Sequence, residues 1–340
     1  LFVIMRQMQS DGYGLVFISH KLHEVVEISD RVTVLRDGKK IGTRNVCDIN
    51  KQILANWMVG HDIEFISSQE HQEPKEVRLE MVDVCCNSDR GTEGLCGVNL
   101  AIRSGEILGL AGVSGNGQLE LAETMAGLRQ VRRGKIYLEG EDVTNAQPGY
   151  LTEKGLSYIP EERMKDGMIR NFNISENLIL REHHKQPFSS HGFLRMKFIE
   201  EHSRRLVSQY RIKTPSLMTQ TRSLSGGNIQ KVLLARELSR QPRAIIAAQP
   251  IRGLDIGASE YVHEQLLAER DKGTAILLIS EDLDEILAIS DRIAVIYEGN
   301  IIDVLDRKDA TRESLGLLMA GVRPDENLES PNCPPTIQIS

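Results

Sequence analysis

The sequence lacks three features that would assign it to common functional classes. It has no excess of basic residues: 41 Lys and Arg stand against 48 Asp and Glu, for a net charge of -7. This argues against nucleic acid as the main partner, because such binding depends on neutralising phosphates. The longest apolar runs, such as residues 107–113, fall far short of the ~20 residues that cross a bilayer. The five cysteines show neither even pairing nor metal-ligand spacing, so we expect a reducing cytosolic setting and no metal site.

What is present is an ordinary globular composition in a chain of intermediate length. The 340 residues are 40% hydrophobic and 26% charged, which is typical of soluble proteins. Because a typical domain has about 150 residues, a chain of this length suffices for two domains. Leu1 lies in an apolar, helix-like stretch and is not a start methionine. We therefore expect the chain to begin inside a larger unit.

One segment of the sequence occurs twice. Residues 15–31 match residues 276–292 at a spacing of 261 positions, and the match continues without insertion to Gly60 and Gly321. Many of the matching positions are identical, and most of the others exchange one apolar residue for another. A fixed spacing of this kind indicates a duplicated structural unit.

The duplication predicts how the chain is divided. Residues 1–60 are expected to be the C-terminal remnant of a first copy of this unit (copy one). Residues 77–321 are expected to be a nearly whole second domain (copy two). Between them, residues 61–76 are polar, lack periodicity and contain a proline, which indicates an exposed linker. Residues 322–340 contain four prolines and no apolar face, and we expect a flexible tail.

Copy two alternates apolar strands with amphipathic helices, the pattern of an α/β fold. Two of its strands are continuous apolar runs, which is typical of a parallel sheet covered on both faces. We therefore predict a parallel sheet at the centre of the domain. The predicted strands are Ile107–Ala111, Gly134–Glu139, Ala244–Ala248 and Thr274–Ser280, and the predicted helices are Gln118–Ala126, Ser175–Glu182, Phe198–Tyr210 and Asn228–Ser239.

A glycine-rich turn joins the first of these strands to its helix. The spacing of its glycines is that of a phosphate-binding loop, in which backbone N–H groups surround an anion at a helix N-terminus. Such a loop ends in Lys and then Ser or Thr, but here Gln118 brings no charge and Leu119 no magnesium ligand. From the loop alone, phosphate binding and a plain turn both stay open. The candidate phosphate-binding residues are Gly112, Ser114, Gly115, Asn116, Gly117, Gln118 and Leu119.

A second motif, Leu-Ser-Gly-Gly-Asn-Ile-Gln-Lys at residues 224–231, places two glycines at the start of a long helix. Free N–H groups there can meet an anion, and Ser225 can cap the helix or touch phosphate. Read alone, the segment is equally well a capped helix start. However, it is followed in order by an apolar strand with Pro250, by Gly-Leu-Asp at 253–255 and by Ile-Ser at 279–280. This order is hard to produce by chance.

Together, these motifs resemble the ATP-binding subunit of an ABC transporter, of the tandem type that energises importers of simple sugars and nucleosides. The resemblance covers nearly all of residues 1–321, and the Walker A, signature and Walker B motifs of copy one would precede Leu1. It implies a P-loop NTPase-like α/β fold with a parallel core sheet, an antiparallel β subdomain and a helical subdomain. It also implies ATP and Mg²⁺ as cofactors, and a peripheral position on the cytoplasmic face of the cell membrane. The implied partners are integral-membrane permease subunits and, indirectly, an extracytoplasmic substrate-binding protein, with head-to-tail pairing of nucleotide-binding domains.

The resemblance also assigns roles to individual positions. In copy two, Ala248 and Gln249 replace the Asp-Glu pair of the Walker B motif, and Glu281 replaces the switch histidine. Because the aspartate holds magnesium and the glutamate polarises the attacking water, these changes remove a metal ligand and a base. The remaining assignments are the signature (Leu224, Ser225, Gly226, Gly227, Asn228 and Gln230), the D-loop (Gly253, Leu254 and Asp255), the Q-loop position (Glu161) and the switch of copy one (His20).

The pattern of changed and unchanged positions leads to a functional hypothesis. Copy two is expected to donate its signature to the site of copy one, where His20 acts and hydrolysis takes place. The family is an ATPase family, but this chain alone is expected to be inactive or very weak. The alternative is a non-hydrolysing nucleotide-sensing or scaffold module that only docks a partner. A soluble ABC ATPase acting on ribosomes or DNA is disfavoured by the net charge and the short linker.

Overall fold

The computed structural model describes residues 1–19, 22–36, 38–60 and 76–322. His20, most of the expected linker (61–75) and nearly all of the expected tail (323–340) lie outside the described residues. The chain forms two compact units. Unit 1 comprises residues 1–69, 168–235 and 251–268, and unit 2 comprises residues 70–167, 236–250 and 269–340.

The helices are short to medium in length. Within the described residues, none is both long and apolar enough to cross a membrane. They are α1 (Phe2–Ser10), α2 (Leu22–Ile28), α3 (Lys51–Val59), α4 (Gln118–Met125), α5 (Pro148–Glu153), α6 (Ile174–Leu178), α7 (Met196–Gln209), α8 (Gly226–Leu238), α9 (Ile256–Asp271), α10 (Leu283–Ile289) and α11 (Arg312–Met319).

The strands form two larger sheets and two hairpins. They are β1 (Arg31–Arg36), β2 (Lys39–Asn45), β3 (Val77–Asn87), β4 (Glu93–Arg103), β5 (Ile107–Ala111), β6 (Val131–Leu138), β7 (Glu141–Asp142), β8 (Leu156–Ile159), β9 (Ser189–Ser190), β10 (Phe193–Leu194), β11 (Ala244–Ala248), β12 (Ala275–Ser280), β13 (Arg292–Tyr297) and β14 (Asn300–Asp306).

Unit 2 is built on a six-stranded sheet in the order β14-β13-β5-β12-β11-β8. All neighbouring strands are parallel except β14, which runs antiparallel to β13 at the edge. Every residue of β5, β11 and β12 is buried, as expected for strands that are covered on both faces. The predicted parallel core sheet is confirmed.

An antiparallel sheet in the order β4-β3-β6-β7 completes unit 2. Leu79 and Ile102 from this sheet join Leu108 and Ile279 from the parallel sheet in one buried apolar cluster, together with Leu121 of α4. The cluster holds α4, and with it the start of that helix, at a fixed place on the parallel sheet. The mixed α/β architecture is therefore the one predicted.

Unit 1 contains two smaller apolar clusters among its described residues. Val34, Ile49 and Leu54 are buried with β1 and α3, and Trp57 packs against them. Residues Ile179, Phe188 and Ile199 are buried together between the end of α6 and α7. These clusters fix the helices of the unit in place.

Two predicted elements differ from the structure by three or more residues at one end. The helix predicted from 175 to 182 ends at Leu178, because the chain beyond it forms tighter turns: the N–H of Glu182 bonds to the carbonyl of Ile179, three residues back. The strand predicted to begin at Gly134 begins at Val131, and it ends where Glu139 takes a left-handed φ of 53°.

The sequence repeat is also a structural repeat. The order helix, two strands, 3₁₀ turn and helix occurs as α2-β1-β2-α3 and again, 261 residues later, as α10-β13-β14-α11. Even irregular features recur at this spacing. They are a register shift after Val34 and Val295, a side-chain helix cap at Asn50 and Thr311, and a left-handed glycine at Gly60 and Gly321.

One part of the repeat differs between the copies. Val16 and Ile18 are 94% and 93% exposed, whereas their counterparts Leu277 and Ile279 in β12 are 0% and 2% exposed. Residues 13–19 form no strand, while β12 lies between β5 and β11. The same apolar pattern therefore forms a strand where neighbouring strands supply its hydrogen bonds.

The burial of α4 yields a test of its packing. Leu121 is fully buried and Leu119, on the same helix, is 42% exposed. We expect Leu121→Ala to lower the free energy of unfolding by about 3 kcal/mol, since it removes a buried side chain and leaves a cavity. The matched variant Leu119→Ala should change it by less than about 1 kcal/mol. Thermal unfolding followed by circular dichroism measures both, and similar melting temperatures for the two variants would contradict this packing.

Candidate functional site

Unit 2 brings four of the predicted positions to one edge of its parallel sheet. The glycine loop (112–119) follows β5, Glu281 follows β12, Ala248 and Gln249 lie at the end of β11, and Glu161 follows β8. These four strands are consecutive neighbours in the sheet. The Oε1 atom of Gln249 lies 3.5 Å from the backbone nitrogen of Glu281. The carboxyl edge of a parallel sheet is where such folds bind ligands.

The glycine loop depends on close backbone contacts. Gly117 has a φ of 109°, and a Cβ atom there would lie 3.0 Å from the carbonyl oxygen of Gly94. The side-chain Oδ1 of Asn116 accepts the backbone N–H of Glu298 at 3.0 Å. The backbone carbonyl of Asn116 accepts the N–H of Gly299 at 2.9 Å. Asn116 therefore anchors the loop to the turn between β13 and β14. Sequence analysis missed this role, because nothing near Asn116 in the sequence indicates Glu298.

The side chain of Gln118 folds back into the loop. Its Nε2 donates to the carbonyl of Val113 at 2.9 Å, and its Oε1 accepts the N–H of Asn116 at 3.1 Å. Since a backbone N–H can only donate, the second bond fixes which end of the amide faces Asn116. The amide also covers Gly112, where a Cβ atom would lie 2.6 Å from Nε2. Gln118 thus shares the N–H of Asn116 with the carbonyl of Val113, which accepts it at 3.2 Å, and both bonds lie within the loop.

The residues at this edge do not fit a magnesium nucleotide. Ala248 and Leu119 carry no oxygen that could bind Mg²⁺, and Gln118 carries no positive charge. Glu161 and Glu281 are carboxylates, which repel phosphate. Among the described residues, no group of three or more His, Cys, Asp or Glu side chains could hold a metal ion. We derive no chemical step at this edge.

Unit 1 carries the signature segment (224–231). Ser225 is exposed immediately before α8, and its carbonyl accepts the N–H of Ile229 at 2.9 Å. The two glycines begin the helix, as predicted. A Cβ atom on Gly227 would lie 3.2 Å from the Cβ of Ala258 in α9, so a larger residue there would push the two helices apart by at least a few tenths of an ångström. Gln230 is only 2% exposed and points away from solvent.

The Gly-Leu-Asp segment lies in the same unit and starts α9. Gly253 has a left-handed φ of 65°, and Leu254 is buried. The Oδ1 atom of Asp255 accepts the N–H of Ala258 at 2.8 Å. The carboxylate therefore caps the positive end of α9.

An open cavity of about 670 Å³ in unit 1 is lined by residues of both segments, among them Ser225 and Asp255. Lys231, also in its lining, donates to the carbonyl of Arg211 at 3.2 Å and lies 4.6 Å from the centre of the Tyr261 ring. Burial, and then the like charges of Lys213 and Arg211, lower the pKa of Lys231. Burial raises the pKa of Tyr261 to about 12, so it stays uncharged near neutral pH. Four cations (Arg36, Arg211, Lys213 and Lys231) and three carboxylates (Asp255, Glu260 and Glu264) line the cavity.

Comparison with known proteins identifies relatives of the whole described chain. Residues 95–252 match the family model described as ABC transporter. The nucleoside import ATP-binding protein of Lactococcus lactis subsp. cremoris (strain MG1363) is 41% identical over 321 residues, which are 94% of this chain and 63% of that protein. The guanosine import ATP-binding protein of Bacillus subtilis (strain 168) is 43% identical, with the same coverage. This chain therefore spans less than two thirds of the length of these relatives.

Solved structures agree on the fold. A nucleotide-free ATP-binding cassette from an ABC transporter superposes with a TM-score of 0.60 at 22% identity, covering 72% of this chain and 95% of that one. A dimeric cassette in a post-hydrolysis state with ADP and phosphate gives 0.59 at 20% identity, covering 67% and 98%. At these identities the likeness concerns the fold, and it confirms the predicted fold class.

The position of Gln118 predicts weak phosphate binding at the glycine loop. We expect Gln118→Lys to bind tripolyphosphate at least roughly tenfold more tightly than the unchanged chain, because it removes the side-chain acceptor from the N–H of Asn116 and adds a cation. Gln118→Glu keeps an acceptor for that N–H and adds a negative charge, so it should gain nothing. Isothermal titration calorimetry on the three proteins measures this. Equal affinity of the unchanged chain and the Lys variant would contradict the blocking role of Gln118.

Proposed function

We propose that this chain carries an ABC transporter ATP-binding domain and belongs to a subunit that couples ATP binding and hydrolysis to import of a simple sugar or nucleoside. The order of its motifs supports this proposal, from the glycine loop through the signature segment to Gly-Leu-Asp. So do its relatives, which are named for import of nucleosides, guanosine and glucose. Each of these solutes is named for a relative and not for this chain. What the solutes share is that they are small and polar.

Within this subunit, copy two (77–321) supplies a signature and does not hydrolyse ATP itself. The observation that carries this is the contrast between the two glycine segments. The Oε1 of Gln118 accepts an N–H of the glycine loop, whereas Ser225 is exposed beside a cavity whose lining holds four cations and three carboxylates. A serine hydroxyl and the first N–H groups of a helix stabilise the charge of a phosphoryl group during transfer.

The proposed site combines this signature with the Walker motifs of copy one, which lie outside residues 1–340. ATP and Mg²⁺ bind there, and His20 is the switch residue of that copy. This requires head-to-tail pairing of the two nucleotide-binding domains. Permease subunits hold the pair at the cytoplasmic face of the membrane, and an extracytoplasmic substrate-binding protein delivers the solute to the permease.

A second function is favoured by the same geometry at the glycine loop. A domain whose phosphate loop is occupied by its own side chain can serve as a scaffold that docks a partner without using nucleotide. In that case the signature segment has no catalytic role. The two functions differ in what a change at the signature does to transport.

One test of this proposal is ATP hydrolysis by the purified chain on its own. We expect no magnesium-dependent ATP hydrolysis that depends on Ser225, because copy two lacks the residues that bind magnesium and activate water. Phosphate release by the purified 340-residue chain should equal that of Ser225→Ala. Robust hydrolysis that is abolished by Gln249→Ala would show that copy two owns an active site.

Another test is solute uptake by the assembled transporter. Gly226→Asp should reduce solute uptake on the order of a hundredfold, since a carboxylate at the start of α8 would repel the phosphate that this segment stabilises. Gln249→Ala should leave uptake within about twofold. Uptake of labelled solute into vesicles measures both. Equal losses would mean that the two roles are wrongly assigned, and full uptake by Gly226→Asp would favour the scaffold.

A further inference from the structure

Asn228 makes two hydrogen bonds of opposite direction in unit 1. Its Oδ1 accepts the backbone N–H of Lys213 at 2.8 Å, and its Nδ2 donates to Oγ of Ser225 at 3.0 Å. The backbone N–H can only donate, so the amide cannot be turned round without losing the first bond. The direction of the second bond is therefore fixed by the first.

The fixed amide determines what the Ser225 hydroxyl can do. A serine hydroxyl has one hydrogen and two lone pairs. One lone pair accepts from Nδ2 of Asn228, which has no acceptor to offer in return, so the serine hydrogen points elsewhere. Because Ser225 is exposed and lines the cavity, the hydroxyl is free to donate to a ligand there.

The other end of the bridge is held firmly. The turn that carries Lys213 includes Arg211 in a left-handed conformation, with a φ of 51°. Lys231 of α8 donates to the carbonyl of Arg211 at 3.2 Å, and the hydroxyl of Tyr261 in α9 donates to the carbonyl of Tyr210 at 3.0 Å. Two helices thus fix the turn independently of Asn228. The N–H of Lys213 is a donor at a defined position.

We propose that Asn228 is a positioning residue that makes Ser225 a hydrogen-bond donor toward a phosphate oxygen. This inference rests on the proposed function, in which the signature segment faces the phosphates of a nucleotide. A phosphate oxygen only accepts hydrogen bonds, so it binds a hydroxyl whose hydrogen is directed outward. A hydroxyl whose hydrogen is directed inward presents lone pairs, which repel the phosphate.

Asn228→Asp tests the direction of the bond. The carboxylate still accepts from Lys213, but its second oxygen accepts the Ser225 hydrogen and turns it inward. In the assembled transporter, we expect ATP turnover to fall at least about tenfold, close to the loss caused by Ser225→Ala. In a Ser225→Ala background, Asn228→Asp should have little further effect. Steady-state phosphate release measures all four proteins.

Two further variants separate this role from charge and from simple packing. Asn50→Asp adds the same charge to unit 1 at an exposed helix cap, where Oδ1 accepts the N–H of Ile53 at 2.9 Å, and it should leave turnover unchanged. Asn228→Ala removes both bonds and lets the hydroxyl rotate, so it should lose less turnover than Asn228→Asp. A purely structural role predicts the reverse order, because the Asp variant keeps one of the two bonds.

Three results would overturn the inference. They are full turnover by Asn228→Asp, a greater loss in Asn228→Ala, and a loss in Asn228→Asp that persists undiminished in the Ser225→Ala background, which would reflect added charge alone. No turnover by the unchanged assembly would instead contradict the proposed function. Thermal unfolding of each variant chain, expected to match that of the unchanged chain, verifies that the comparison is made between folded proteins.

Discussion

Polar groups of a glycine-rich segment need hydrogen-bond partners, and the two glycine segments of this protein differ in which of their groups are bonded within the chain. Ahead of α4, the N–H of Asn116 bonds to Gln118 of the same loop. Ahead of α8, Ser225 stays exposed beside a cavity. A lysine in place of Gln118 has no acceptor atom and could not make the first of these bonds. The residue type at this position therefore decides whether a side chain shares the N–H of Asn116, which the carbonyl of Val113 also accepts at 3.2 Å.

The parallel sheet explains why residues far apart in the sequence lie at one edge of unit 2. Because β5, β12, β11 and β8 are neighbours, the residues that follow them are neighbours too, although the glycine loop and Glu281 are separated by most of copy two. The burial of these strands depends on apolar side chains within them, whereas the chemistry depends on the residues just after them. Changes at the strand ends therefore alter the chemistry and leave the sheet in place.

The same distinction explains what could be predicted from the sequence. The buried strands and the duplication were predictable, since a strand covered on both faces must be apolar throughout and a repeated unit repeats its pattern. The start of α8 at its two glycines followed from helix-capping rules. The anchoring of Asn116 by Glu298, the fold-back of Gln118 and the bridge through Asn228 were not predictable, because each depends on where a distant or flexible partner lies in three dimensions. The early end of α6 at Leu178 was missed, because the apolar pattern beyond it fits both a helix and a series of tighter turns.

The two sets of motif residues differ in how strongly the fold constrains them. Glu281 and Leu119 are exposed, and Gln118 is half-buried, so a change at any of these positions costs little stability. Gly227, by contrast, lies against Ala258, and a larger residue there would separate α8 from α9. Changes at the exposed positions therefore alter what the glycine loop can bind at little cost in stability, whereas a change at Gly227 obliges α8 and α9 to adjust.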